Sequence, residues 1–253
     1  MVEQNKANIT DQEMKEAQGI FDAVWSDLVT EVGEENVTFP KELYWLNGAP
    51  GAGKGTQTRF IMNHKGIKAS PIVVSDLLTT PEMQALKDQG LMVGDKEVAG
   101  LLFRKIIDPA NFDGVIIDGF PRTGVQVACL TILNEKLKEL HTKYAGTEHA
   151  AKFPKPSFHI IILYVDEQVS VDRQLYRGKQ IIKANETAAP EDQQELRATD
   201  KDPEAARKRY LTYKDITFPA LETLNGVFHY HFIDSMQSID EVQANIVKEM
   251  PNA

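Results

Sequence analysis

Cysteine is almost missing from this sequence. Cys129 is the single one among 253 residues, which excludes an intramolecular disulfide and a cysteine-based zinc cluster; the expectation is a buried free thiol in a reducing compartment. No apolar run approaches the roughly 20 residues that cross a bilayer, and the stretch MVEQNKANITDQEMKEAQ has no basic segment followed by an apolar one. A cytoplasmic protein with no membrane partner is therefore expected. Positive charge is also in short supply, with 28 Lys and Arg against 37 Asp and Glu and a formal net charge of -9. A nucleic-acid binder would need the opposite balance, so any phosphate binding has to be local.

The length suits one globular domain with an arm. Residues 10–33 form that arm: Ile20, Phe21, Val24, Trp25, Leu28, Val29 and Val32 recur at helical spacing, Thr10 or Asp11 can cap the helix, and Gly33 can stop it. The arm either packs on its own core or serves a contact between copies. Residues 1–38 are thus read as an N-terminal helical extension and 39–253 as the main domain.

Five apolar runs read as strands, at 43–47, 71–74, 114–118, 160–166 and 228–233. Helical stretches separate them, so the fold class is α/β, a five-stranded parallel sheet with helices on both faces. Ligands should gather at the strands' C-terminal ends. Two segments interrupt the rhythm. Residues 134–156 begin helically and end in a proline-marked loop, and 177–197 are polar and read as a mobile flap.

Directly after the first strand comes GAPGAGKGTQ, residues 48–57. The usual phosphate loop puts Ser or Thr after the lysine, where its hydroxyl reaches magnesium; here Gly55 holds that place and Thr56 follows one residue late. Glycines let the backbone aim several N–H groups at one anion, and the helix expected over 56–64 adds its positive end. Lys54 would sit against the β- and γ-phosphates; a glycine-rich turn without function is the alternative. A second constellation, VIIDGFPRT at 115–123, ends a buried strand in Asp118. That carboxylate either caps a helix or faces nucleotide-bound magnesium, often through water.

Taken together, residues 48–57 and 118–123 resemble the adenylate kinase group of nucleoside monophosphate kinases, in which Gly-x-Pro-Gly-x-Gly-Lys-Gly-Thr is the normal loop. The resemblance runs over about 42–234, apart from the two interruptions. It implies a P-loop NTPase fold with an acceptor-binding subdomain at 75–105 and a lid at 178–196. It implies ATP as donor, held by Pro50, Gly51, Ala52, Gly53, Lys54, Gly55 and Thr56, with Asp118 organising hydrated magnesium. Arg122 would clamp the acceptor monophosphate, Asp76, Val93 and Gly119 would line its site, and Gln126 would read its adenine. Arg173, near the adenine and phosphates of ATP, and Arg177 match the arginines before the lid. Arg197 and Arg209 match those that close over the transferring phosphoryl group. In-line transfer needs positioning and charge neutralisation more than a base, which suits the planar guanidinium. Arg207 is expected to be solvated or phosphate-adjacent.

The match weakens at VSDLLT, residues 74–79, where Thr79 stands in place of the family's arginine. Arg104 or Lys105 could compensate by sequence position. The flap has no cysteine, so a zinc lid is excluded, and His229 and His231 share one face of a strand, where packing or hydrogen bonding is expected. The implied partners are small-molecule nucleotides, ATP and AMP. Two alternatives stay open: a CMP, UMP or other monophosphate acceptor, and an ATP-binding regulatory protein with little transfer that uses its arm as an interaction surface. The sequence leaves the oligomeric state open.

Overall fold

The structure, a computed structural model, describes residues 9–88 and 92–251. Residues 1–8 of the expected extension and 89–91 of the expected acceptor segment lie outside the described residues. Strands β1 (Glu42–Gly48), β2 (Ile72–Val73), β3 (Val115–Asp118), β4 (Ser157–Tyr164) and β5 (His229–Asp234) form a sheet in the order β2-β3-β1-β4-β5. Every pairing is parallel. Helix α1 (Asp11–Val32) precedes β1 and α2 (Lys54–Lys65) follows it; α3 (Val74–Leu77), α4 (Pro81–Asp88) and α5 (Asp95–Ile106) lie between β2 and β3. After β3 comes α6 (Gly124–Tyr144), after β4 come α7 (Glu167–Asn185), α8 (Pro203–Thr212) and α9 (Phe218–Glu222), and after β5 comes α10 (Ile239–Glu249). No helix among the described residues is long and apolar enough to cross a membrane.

Alternation along the strands makes two cores. Leu43, Trp45, Val115, Ile117, Phe158, Ile160 and Ile162 face one side, and Tyr44, Leu46, Ile116, Ile161, Leu163 and Ile233 the other. All five expected strands form, with shifted ends. β2 is short because Val74 already starts α3. β4 stops at Tyr164 because Asp166 leaves the strand to cap α7, its carboxylate accepting from the Val169 N–H at 2.8 Å.

α1 begins in a closed capping box: Glu13 N–H donates to Thr10 Oγ1, and Thr10 N–H donates to the Glu13 carboxylate at 2.8 Å. Its buried face, Ala17, Phe21, Val24 and Leu28, belongs to the first core and packs on α5 and α6. Phe21 stacks on Trp25 with centroids 5.8 Å apart and meets Phe103 of α5 edge-on. Cys129 is buried against the Ala17 carbonyl, and burial pushes its thiol up to about 12. It is therefore a structural thiol, not a reactive one.

The first interruption begins helically as expected: the helix that starts at Gly124 runs unbroken to Tyr144, and the loop beyond it is pinned by Phe153, which stacks on Tyr144 at 4.2 Å. The second needs correction, because 178–185 is no loop. α7 continues to Asn185 with Gly178 and Ile181 buried, and only 186–196 is irregular and largely exposed. The helix carrying Arg209 is capped by Asp202, but it passes through a π-helical turn at Tyr213–Thr217 before α9.

Because Phe21 is 3% exposed in the core, Phe21→Ala is expected to cost about 3–5 kcal/mol of stability. Denaturant unfolding measures it. A loss below about 1 kcal/mol, less than the range for a buried phenylalanine, would mean that α1 is not part of the folded body.

Candidate active site

β1 is the central strand, and the loop after it opens between β3 and β4. This is the crevice at strand C-termini where an α/β sheet takes its ligand. The loop is seated on α7, with Ser170 Oγ donating to the Pro50 carbonyl at 2.7 Å. Gly51 has φ 75° and comes so close that a Cβ would lie 2.8 Å from the Ser170 carbonyl oxygen. Only glycine satisfies both demands. Gly55 is different: it lies inside α2, and a Cβ there would meet nothing within 4 Å. The chain's own packing does not require a glycine there, and its surface is left open. Ala52 is buried beneath the loop, whereas Thr56 is exposed at the start of α2.

Lys54 folds back over this loop, its Nζ donating to the carbonyls of Gly48 at 2.9 Å and Ala49 at 3.3 Å. Burial pushes its pKa down to about 8, opposed by Asp118 and reinforced by Arg209, Arg122 and Arg177. Asp118 ends β3 beside it, in register with Leu46 of β1. Burial raises the Asp118 pKa, although Lys54 and Arg122 pull it down. Nothing among the described residues hydrogen-bonds its carboxylate. The following loop is tied back by Asn47 Nδ2, which donates to the Pro121 carbonyl at 3.1 Å, and by Gly119 N–H, which donates to Leu46 O at 3.0 Å. Arg122 Nε donates to the Gly119 carbonyl at 2.7 Å. Its pKa is lowered first by burial and then by Arg197.

The remaining arginines arrive from α7, α8 and the turn between them. Arg173 donates to Ser235 O at 2.9 Å and reaches Gly51 O at 3.5 Å, joining the glycine loop to the segment after β5. Arg177 is paired with Asp200 through Nε at 3.0 Å and through a second, closer nitrogen. The other Asp200 oxygen accepts from Arg197 N–H at 3.1 Å. Arg209 donates to Thr199 Oγ1 at 3.3 Å, and burial with Arg197, Arg122 and Arg177 nearby pushes its pKa down to about 10. The structure thus brings Lys54, Asp118, Arg122, Arg177, Arg197 and Arg209 into one electrostatic neighbourhood, with Arg173 at its edge. Arg207 stands apart, paired with Glu167 at 2.7 Å.

Asp200 was not legible as a site residue. It is 4% exposed and holds two arginines at once. Its backbone lies so close to Gly178 that a Cβ there would come within 2.0 Å of Asp200 O. The cue available in the sequence was its place three residues after Arg197. Ser235 was missed as well, because it acts through Arg173, a partner distant in sequence.

On the other side of Asp118, Asp76 and Thr79 are exposed around α3, and Val93 is buried in the core. Neither expected substitute for the missing arginine turns this way. Arg104 pairs with Glu31 of α1 at 3.1 Å and bonds Gly100 O, and Lys105 pairs with Asp108. α5 itself is anchored by Val98, Ala99, Leu102, Phe103 and Ile106 in the core. Gln126 is buried in the first turn of α6.

Among the described residues no group of three or more His, Cys, Asp or Glu could hold a metal ion. His159 Nδ1 and His231 Nε2 are 3.3 Å apart, and the His159 ring stacks on Tyr44 and His229. The three rings pack together, and two of them, His159 and His231, lie within hydrogen-bond distance. The unpaired carboxylate of Asp118 fits a hydrated divalent cation whose other ligands are water and phosphate.

Residues 47–189 match the model of a family described as "AAA domain". The chain is 32% identical to an adenylate kinase of Beijerinckia indica over 215 residues, 80% of this chain and 96% of that protein. It is 32% identical to an adenylate kinase of Deinococcus radiodurans over 213 residues, 80% and 93% of the two chains. An adenylate kinase of Thermosynechococcus vestitus is 27% identical over 210 residues, 79% and 93% of the two.

Lys54 gives this site a pH signature. Its free amine titrates near 8, and a polyphosphate beside it favours the charged form, so binding above that pH must take up a proton. Calorimetric ATP titrations at about pH 8.5, in buffers of different ionisation enthalpy, should show an uptake of up to roughly 0.7 proton. Lys54→Arg, whose guanidinium stays charged, should abolish it. Equal uptake in both proteins would place the titrating group elsewhere.

Proposed function

The chain belongs to the adenylate kinase family, and we propose that it transfers the γ-phosphoryl group of ATP to AMP, giving two ADP, with magnesium. At the coarser level it is a nucleoside monophosphate kinase, a phosphotransferase. The observation that carries the finer reading is the crowding of five cations, Lys54, Arg122, Arg177, Arg197 and Arg209, around the end of β3. Such crowding is unfavourable until anionic phosphates enter it.

In this reading Lys54 and the backbone of residues 50–56 hold the donor phosphates at the start of α2. Arg173 lies against the donor nucleotide, and Arg122 takes the acceptor phosphate. An acceptor phosphate oxygen attacks the γ-phosphorus as the bond to the β–γ bridging oxygen breaks, and ADP leaves. Arg177, Arg197 and Arg209 spread charge off the transferring group, and no side chain has to remove a proton. Asp118 would hold magnesium through water, whose chemistry when bound is to neutralise the donor phosphates. Residues 75–105 and 178–196 would close on the substrates and exclude water, limiting hydrolysis of ATP.

Thr79 favours a second reading in one respect. With Arg104 and Lys105 committed elsewhere, the acceptor phosphate has one charged donor fewer, so another monophosphate could compete with AMP. A panel of monophosphates with magnesium and ATP, scored for ADP formation, separates the two. An enzyme that turns over CMP or UMP better than AMP overturns the AMP assignment.

Lys54→Ala and Arg122→Ala should each lower kcat/KM by at least about 10²-fold, the scale of losing one preorganised charge-stabilising donor. Near-normal turnover in both would sink the assignment. Thr79→Arg should lower KM for AMP by roughly 10-fold with kcat little changed, as one added charge-assisted hydrogen bond predicts. An unchanged KM would mean that position 79 does not face the acceptor phosphate.

A further inference from the structure

The amide of Gln126 is held at both ends. Its Oε1 accepts from the Arg122 N–H at 2.8 Å, and its Nε2 donates to Asp95 Oδ1 at 2.8 Å. The same Asp95 oxygen accepts from Thr123 Oγ1 at 3.0 Å. These partners permit one orientation. A backbone N–H can only donate and an ionised carboxylate can only accept, so a flipped amide would set donor against donor and acceptor against acceptor. Gln126 is 3% exposed, so it has no solvent in which to turn freely.

An amide carries two N–H donors and two lone pairs. One of each is spent on Asp95 and Arg122. The second N–H and the second lone pair have no partner among the described residues. What remains is a donor beside an acceptor in a fixed order, on the helix that begins right after Arg122. Arg122 N–H is backbone, so the side chain that enforces this order is Asp95.

We propose that Asp95 is a positioning residue that locks the Gln126 amide and thereby makes the acceptor site choose a 6-aminopurine over a 6-oxopurine. The inference rests on the reading that Gln126 faces the acceptor base. A 6-aminopurine presents an amino donor next to the N1 acceptor, which complements the free lone pair and free N–H of the locked amide. A 6-oxopurine presents a carbonyl acceptor next to an N1–H donor, the reverse order, and the locked amide cannot turn to meet it. A site built to hydrogen-bond one pattern rejects the other because its own buried polar groups are left unpaired.

The test compares kcat/KM for AMP and IMP in the intact protein, in Asp95→Ala and in Asp95→Asn. In Asp95→Ala the amide loses one of its two anchors, and the AMP/IMP ratio should fall at least about 10-fold. Asp95→Asn still offers a carbonyl oxygen and should recover most of the ratio. A purely structural role at the start of α5 would lower both activities together and leave the ratio unmoved; that outcome, in an enzyme that prefers AMP, overturns the proposal and leaves the acceptor reading standing. A wild-type enzyme indifferent between AMP and IMP overturns both. Should Asp95→Ala not fold, Asp95→Ser reports the same ratio, with the same fall expected.

Discussion

Repulsion among five cations in one low-dielectric crevice is the constraint on which the rest of this molecule depends. The chain as a whole is acidic, at -9, yet Lys54, Arg122, Arg177, Arg197 and Arg209 meet where β1 and β3 end. Four of them are held by an oxygen fixed in the fold, and the fifth, Arg197, is placed through its backbone N–H on Asp200. Lys54 has the Gly48 and Ala49 carbonyls, Arg122 the Gly119 carbonyl, Arg177 the Asp200 carboxylate and Arg209 the Thr199 hydroxyl. These contacts orient the cations without neutralising most of them. The positive charge is left for an anion that enters, and a preorganised site of this kind does not have to rearrange when charge develops on a transferring group.

The scaffold explains how so much like charge stays put. The parallel sheet brings the glycine loop and Asp118 side by side from strands that are neighbours in space and about 70 residues apart in sequence. α7 and α8 then supply arginines from the far side, locked together where Gly178 lets Asp200 approach. The helical arm has a comparable duty at α5 and α6. α1 is buried against α5 and α6, and those two helices carry Asp95 and Gln126. The Glu31–Arg104 pair fastens the same junction at the surface. It contributes little by itself, as exposed pairs generally do, but it turns Arg104 away from the crevice.

Much of this was legible before any coordinates. The apolar runs marked all five strands, the Thr10 and Gly33 signals bracketed α1, and residues 48–57 with 118–123 located the crevice. Local chemistry suffices for those features, because caps, turns and strand periodicity act over a few residues. What stayed hidden acts over long separations. Asp200 matters because it faces Arg177 across 23 residues, and Asp95 because it faces Gln126 across 31. Arg104 looked free because Glu31, 73 residues away, becomes its neighbour only once α1 has docked. The polar stretch after Arg177 read as a flap because its composition is hydrophilic, but Ile181 gives one buried face, enough to carry the helix to Asn185.

The central claim is that one crevice binds both a donor and an acceptor through a shared set of cations. The most direct test measures the affinity of two adenosines joined through five phosphates, against that of ATP, in the same buffer and salt. If both halves engage at once, linkage should tighten binding by at least about 10²-fold, and Arg122→Ala should remove most of that gain. An affinity no better than that of ATP would show that the cations do not span two nucleotides, and the account would fail.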